Sequence, residues 1–399
     1  MNLFKDSALY IGGELFSKSI PFLLLPFLTN KLGVVGFGEM SYYQTLLSFF
    51  MIFLGFSQDG AIARYYYFYG KRSISLIITT CYLYTCIMTI IFLILCMLAK
   101  STILAIVVIV AAMQTLFNTQ LVLRQCQKLA KQYIILQAIS AIFTGLLTVF
   151  LLTKMNHHLI EFRFIALLIS YTLCVFIAYY IYSRREKIIF RFSVKNYKIS
   201  LLYLTGFGLP LILHQLSGFM KGQFDRVLIY HNFEASELGI YSAAFQIASV
   251  LSIVLMSINK AVVPYFYEYL KSKKIRSVDV RTLAVKSMLL VPVPSLVSLI
   301  IPEHIWLTIL GQDFRGVNYF ISLFLFGIGL TLPYFILVNY LFYFGKNNVI
   351  TYCSLSSTVI YLIAIFILKN GSINFIPMAM ILANIAIIPL IYIACKKIK

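Results

Sequence analysis

The chain has 399 residues, 61% of them hydrophobic and 12% charged, with a formal net charge of +20. A soluble domain is nearer 45–50% apolar and about 25% charged, and its outer face needs polar cover. The composition therefore excludes a soluble fold, and the length divides into helices of roughly 20 apolar residues that cross a bilayer. Nor does the positive balance point to nucleic acid. The basic residues sit in short loops between apolar runs, where they set topology and meet anionic lipid headgroups.

The first predicted span, 8–30, carries Gly12, Gly13, Ser17, Ser19 and Pro21, with Glu14 and Lys18 in its middle. Those charges disqualify it as a signal-peptide core. Each costs about 2.5–3.5 kcal/mol at a helix centre, whereas each Leu, Ile or Phe returns about 0.3–0.6 kcal/mol. The span is marginal alone and must turn this face away from lipid. Four residues apart, Glu14 and Lys18 share that face. They form either an ion pair that locks the span to a neighbour or the wall of a water-filled cavity.

The second span, 36–60, ends near Asp59. Just past it stands Arg64, followed by Tyr65-Tyr66-Tyr67. Arg64 reads as an interfacial anchor or as a phosphate-binding cation, with Asp59 as its partner. Spans 74–99 and 101–123 are separated so closely, at Lys100 and Ser101, that they form a tight hairpin. Spans 133–153 and 162–183 follow. The densest basic stretch, 184–198, then divides six spans from six and predicts two lobes, 1–190 and 191–399.

The seventh span, 200–221, holds His214 beside Gln215, a proton relay or a hydrogen-bonded packing residue. Lys221, Asp225 and Arg226 come after it, on the outer side, where Asp225 and Arg226 cap the junction. In the eighth span, 238–263, Lys260 precedes Pro264 by four residues and either snorkels to the interface or lines a cavity. Spans 282–301, 317–344, 348–368 and 372–395 complete the chain. Pro292, Pro294, Pro333, Pro377 and Pro389 kink or flank them, as is tolerated where neighbours satisfy the freed carbonyls.

Alternate loops are strongly basic: Arg64, Lys71 and Arg72; Arg124, Lys128 and Lys131; the 184–198 stretch; Lys271 to Arg281; Lys346; and the C-terminal lysines. The opposite loops hold Lys31, Lys100, Lys154 with Arg163, Lys221 with Arg226, Arg315 and Lys369. This bias places both termini in the cytoplasm. An internal echo, Val35-Gly36-Phe37-Gly38-Glu39-Met40-Ser41 against Ser236-Glu237-Leu238-Gly239-Ile240-Tyr241-Ser242, suggests two parallel repeats related by an axis along the membrane normal.

The seven cysteines are scattered and odd in number, as small buried apolar residues would be. His157 and His158 lack further ligands at metal spacing. The chain shows no Gly-x-Ser-x-Gly, Walker-type or His-Glu-x-x-His signature and is read as a non-enzyme without a cofactor. Transport would draw on an ion, potential or substrate gradient.

Three stretches carry a family resemblance: Pro21 to Pro26 with Leu32-Gly33-Val34-Val35-Gly36-Phe37-Gly38; Gly60-Ala61-Ile62-Ala63-Arg64-Tyr65-Tyr66; and Asp225-Arg226-Val227-Leu228-Ile229 with Leu238-Gly239-Ile240-Tyr241-Ser242-Ala243-Ala244. In these the chain resembles the Wzx-type polysaccharide-repeat flippases of the multidrug/oligosaccharidyl-lipid/polysaccharide exporter superfamily. The resemblance implies an all-α exporter fold with two six-helix lobes around a cationic cavity, in the bacterial cytoplasmic membrane. It implies an undecaprenyl-diphosphate-linked oligosaccharide as substrate, an O-antigen or related repeat unit, and other polysaccharide assembly proteins as partners. Cavity cations of such flippases map by position onto Lys18, Arg64 and Lys260, with Lys221 added from the residue reading. Coupling to a proton or sodium gradient would use Glu14, Asp59, Asp225 or His214. A cation-coupled drug or metabolite exporter of the same superfamily is the second reading, and a membrane glycan polymerase the third.

Overall fold

The computed structural model describes residues 3–70, 73–185, 194–272 and 274–397, with the side chains of 3–11, Glu14 and Arg185 outside the description. Among the described residues every regular element is a helix. Lipid offers the backbone no hydrogen-bond partners, so an apolar span must satisfy its own amides and carbonyls. The helices are α1 (Leu3–Leu23), α2 (Leu25–Gly55), α3 (Gln58–Phe68), α4 (Ile74–Leu98), α5 (Thr102–Cys126), α6 (Ala130–Lys154), α7 (Leu159–Arg185) and α8 (Val194–Asn232). The chain continues with α9 (Ala235–Lys271), α10 (Ser277–Ser287), α11 (Val293–Ile300), α12 (Glu303–Leu310), α13 (Val317–Gly329), α14 (Thr331–Tyr343), α15 (Asn347–Leu368) and α16 (Ile376–Lys396). Eleven helical stretches among the described residues are long and apolar enough to cross a membrane, α2 with α3 counting as one. α1, which carries Glu14 and Lys18, adds a twelfth helix of 21 residues.

The interruptions have local causes. Gly33, at φ 67 and ψ 178, makes the turn between the first two spans inside α2. Lys100, at φ 51, turns the α4–α5 hairpin, and Ser101 caps α5 by accepting from the Leu104 amide at 3.4 Å. Pro292 stands where α10 and its 3₁₀ extension give way to α11, and Pro333 lies in the first turn of α14, just after the α13–α14 break at Leu330.

Four expectations about loops are corrected. Arg64 lies within α3 rather than beyond the second span. Arg124 belongs to α5 and is buried, its guanidinium held by carbonyls rather than by headgroups. Arg163 is likewise buried in α7. The seventh span does not stop at 221: α8 runs 39 residues to Asn232, so Lys221, Asp225 and Arg226 sit in a helix interior instead of capping a junction. For Arg124, Arg163, Lys221, Asp225 and Arg226, side-chain or carbonyl partners meet the charge, so it does not end the span.

The chain forms two compact units, one of residues 1–27 with 42–219 and the other of residues 28–41 with 220–399. In the first, α5 packs on α7 and α4, α6 packs on α7 and α1, and the start of α8 joins α3 over a core of Ala61, Ile62, Ile77, Cys81, Leu123 and Leu204. In the second, α9 packs on α13 and α15 on α16, with Leu337, Leu341, Ile388 and Ile391 at the centre of its core. The 28–41 segment is fixed within the second unit by Phe37, whose ring meets Phe314 edge-on at 6.0 Å, and by Asn30, whose amide donates to the Ile309 carbonyl at 3.4 Å.

Candidate functional site

The break between α2 and α3 is the most unusual backbone of the first unit. Phe56 (φ 45) and Ser57 (φ 55) are both left-handed without being glycine. Each such residue costs roughly 1–2 kcal/mol, and persists only where its surroundings over-determine it. The break frees the carbonyls of Phe53 and Leu54, and neighbouring side chains recapture them. Tyr84 Oη donates to Phe53 O at 3.1 Å and Thr85 Oγ1 to Leu54 O at 3.1 Å. The Gln58 amide shares its protons among Leu54 O, Cys81 O and Thr85 Oγ1 at 3.0–3.3 Å. Thr119 Oγ1 donates to Gln58 Oε1 at 3.3 Å. A Cβ on Gly208 of α8 would run into the Phe56 ring and carbonyl, so glycine is what lets α8 pass so close.

Asp59 opens α3 and is accessible. Arg64 is accessible too, its guanidinium 5.6 Å from the Phe207 ring centre and 5.7 Å from that of Phe68. Among the described residues no ion pair joins them. Five residues on one helix point about 140° apart, which is why the expected pairing is not made. Phe207 lies against Gly60, and Tyr203 Oη donates to Ala61 O at 3.0 Å. His214, accessible, follows Phe207 by two helical turns on the same face of α8. Of these three candidates, Arg64 lies at the seam of α3 and α8, beside Phe207.

Lys18 occupies another part of the unit. Gly13 lies against Ile134 of α6, and Ile20 and Leu24 lie against Gly145 of α6. Those three positions define the side of α1 that α6 covers, and Lys18 stands about 140° round from Gly13, on the open side. It is accessible. The Glu14 side chain is outside the described residues, so its expected pairing with Lys18 has no description here.

In the second unit, Lys221 is half-buried and its Nζ donates to Ser357 Oγ at 2.8 Å, which donates on to Ala383 O at 2.7 Å. One turn along α8, Asp225 and Arg226 are buried at 6% and 7% exposure. Asp225 accepts from the phenol of Tyr241 and from the Arg226 amide at 2.9 Å, and Arg226 Nη1 lies 3.4 Å from Asp225 Oδ1. The same guanidinium donates to Gly222 O at 3.0 Å and lies 4.3 Å from the Phe245 ring centre. Carboxylate and guanidinium thus each meet partners within the unit, as a buried pair requires. Lys260 is accessible on α9, next to Asn259, which accepts from Asn339 at 2.7 Å. A cavity of about 300 Å³ elsewhere in this unit is lined by Glu237, Arg315, Tyr319 and Asn374.

Sequence reasoning missed the polar interior of the first unit. Arg124 donates to Gln120 O at 2.8 Å and Gln120 Oε1 at 2.6 Å, and to the Ala178 carbonyl, while Gln120 also meets Tyr82. Arg163 donates to Thr148, beside the Thr144–Ser170 hydrogen bond of 2.8 Å. The four-residue spacing of Gln120 and Arg124 was the available signal.

Comparison with known proteins agrees with this architecture. Residues 3–270 match the family described as polysaccharide biosynthesis protein. A protein of the Lsg locus of Haemophilus influenzae is 46% identical over 398 residues, covering 100% of this chain and 99% of the relative. A second membrane protein of that organism is 44% identical over 399 residues, covering 100% and 98%. Among solved structures, the lipid II flippase MurJ in an inward closed conformation aligns with TM-score 0.74 at 11% identity, over 98% of this chain and 88% of MurJ. An inward-facing multidrug resistance MATE transporter aligns with TM-score 0.66 at 15% identity, over 96% and 99%. The fold is the exporter fold these two share, and the chain belongs to the polysaccharide biosynthesis protein family.

Proposed function

We propose that this family member is a flippase that moves an undecaprenyl-diphosphate-linked oligosaccharide, an O-antigen or related repeat unit, from the inner to the outer leaflet of the bacterial cytoplasmic membrane. One observation carries the reading. Lys18 is accessible, turned away from the helix that α1 packs against. It lies fifteen residues from Leu3 and fifteen from the turn at Gly33, or roughly 22 Å of helix in either direction. A lysine side chain cannot snorkel that far, and an ammonium left among acyl chains would be costly. An accessible ammonium on that face offers charge-assisted contacts to a diphosphate crossing at mid-depth.

The other candidate cations are divided between the units, Arg64 in the first and Lys221 and Lys260 in the second. Arg64 lies near the C-terminal end of α3, Lys260 within α9 and Lys221 within α8, each able to make charge-assisted contacts with phosphate oxygens. Coupling to a proton or sodium gradient is assigned to the accessible Asp59 with His214 and Glu14, while Asp225 serves charge pairing with Arg226. Alternating access between the two units would carry the headgroup across with both termini in the cytoplasm.

Deletion of the gene followed by lipid extraction tests the reading. Accumulation of an undecaprenyl-linked repeat unit on the cytoplasmic side is the expected outcome. Unchanged lipid-linked sugars with lost efflux of a small molecule would favour the exporter reading.

A further inference from the structure

We propose that the C-terminal end of α3 and the facing stretch of α8 form a platform for the sugar that adjoins the lipid diphosphate, an inference that rests on the flippase reading. Five aromatic residues follow Arg64 without interruption, and the helix divides them between neighbours. Tyr66 is buried, and Tyr67 Oη donates to the Cys126 carbonyl at 3.3 Å, so this side of α3 is tied to α5. Tyr65 and Tyr69 turn to α8 instead. Their ring centres lie 5.2 Å from each other at 32°, and 5.5 and 5.8 Å from Tyr203. Tyr203 stacks on Phe207 at 6.4 Å and 17°. Arg64 stands 5.6 Å from that last ring.

An interfacial belt needs only separate rings with their tips among headgroups. Here four rings from two helices touch in series, ending at a cation. Tyr203 has its hydroxyl committed to Ala61 O at 3.0 Å, which holds the ladder in place. Tyr65 and Tyr69 have no hydrogen bond from their hydroxyls among the described residues, and Tyr69 is 55% exposed. The chemistry matches a pyranose, which offers an apolar C–H face to a ring and a rim of hydroxyls to a phenol. A site of mostly apolar surface with a few placed polar groups is the usual design for such ligands. In a sugar-diphosphate lipid one bridging oxygen separates the phosphate from the sugar ring, a reach comparable with the 5.6 Å between Arg64 and Phe207. A phosphate held by Arg64 therefore sets the first sugar at the Phe207 end of the ladder, from which Tyr203 leads on to Tyr65 and Tyr69.

The full chain, purified in nanodiscs, can be titrated with undecaprenyl diphosphate and with the same lipid carrying galactose or N-acetylglucosamine. Wild type should hold the sugar-bearing lipid roughly tenfold more tightly, about the ratio that 1.4 kcal/mol produces. Tyr65→Leu with Tyr69→Leu should keep the affinity for the bare lipid and lose the increment. Arg64→Gln should weaken both lipids alike. Should the double variant fail to fold, Tyr69→Ser at the exposed end of the ladder carries the same comparison. Equal wild-type affinity for bare and sugar-bearing lipids, or an equal loss for both in the tyrosine variants, overturns the platform while leaving the flippase reading intact. Failure of wild type to bind either lipid overturns the flippase reading and the platform with it.

Discussion

Gly38 and Gly239 lie backbone against backbone in the second unit. A Cβ on Gly38 would run into the Ala235 carbonyl and the Gly239 amide, and one on Gly239 would run into the Val34 carbonyl. Gly38 and Gly239 are matching positions of the two echoed segments, and Val34 and Ala235 stand one residue before those segments. Each glycine meets the residue four before its counterpart, the reciprocity that a two-fold contact imposes. The two glycines of the short sequence match thus meet at a helix crossing at which only glycine permits so close an approach.

Substitution at this crossing should be costly and local. Gly239→Val is expected to lower the thermal unfolding midpoint in detergent, with an overpacking cost of about 1–3 kcal/mol. Gly222→Ala is the control, because nothing lies within 4 Å of the Cβ it would add. Equal melting of the two variants would contradict the close approach.

Breaking the α2–α3 recapture should destabilise the first unit without touching the accessible charges. Gln58→Leu removes the amide that serves Leu54 O and Cys81 O and leaves Thr119 Oγ1 without its acceptor Gln58 Oε1. The expected cost is about 1–3 kcal/mol. Conversely, Ser57→Gly relieves a left-handed residue whose hydroxyl is buried without a partner, and should be neutral or stabilising. A lower melting temperature for Ser57→Gly would show that the backbone strain is not the dominant effect.

The Asp225–Arg226 pair separates structure from transport in a different way. Tyr241→Phe removes one hydrogen bond to a buried carboxylate, and Asp225→Asn removes the charge that compensates Arg226. The second should cost more, about 3–5 kcal/mol, because it leaves a guanidinium uncompensated. Thermal unfolding of both purified variants checks the order. Asp225→Asn melting like wild type would return Asp225 to the coupling candidates.

The helices were legible from composition and length, and two of the breaks from Lys100 with Ser101 and from Pro292. What misled the reading was charge. Lys221, Asp225 and Arg226 look like a loop in a linear scan, yet α8 passes through them because Ser357, Tyr241 and Gly222 O engage them from within the unit. Arg124 and Arg163 hid for the same reason, their partners being a glutamine, carbonyls and a threonine rather than carboxylates. The candidate charges could be named from sequence, but their faces could not. That Asp59 and Arg64 diverge follows from helical spacing, whereas the contact of Arg64 with Phe207 depends on how α8 crosses α3. The left-handed pair Phe56–Ser57 left no trace, since neither is a turn residue of the glycine kind.

The position of Lys18 makes the sharpest functional prediction. It is accessible on the side of α1 away from α6, so Lys18→Ala should leave folding and membrane insertion near wild type while abolishing surface glycan in a complemented deletion strain. Lys18→Arg keeps a cation and should retain part of the export, because guanidinium also pairs with phosphate oxygens. Melting temperature separates the roles: a structural lysine would lose stability as alanine, whereas a substrate cation loses export with folding unchanged. Normal surface glycan with Lys18→Ala would remove the mid-depth cation from the substrate path.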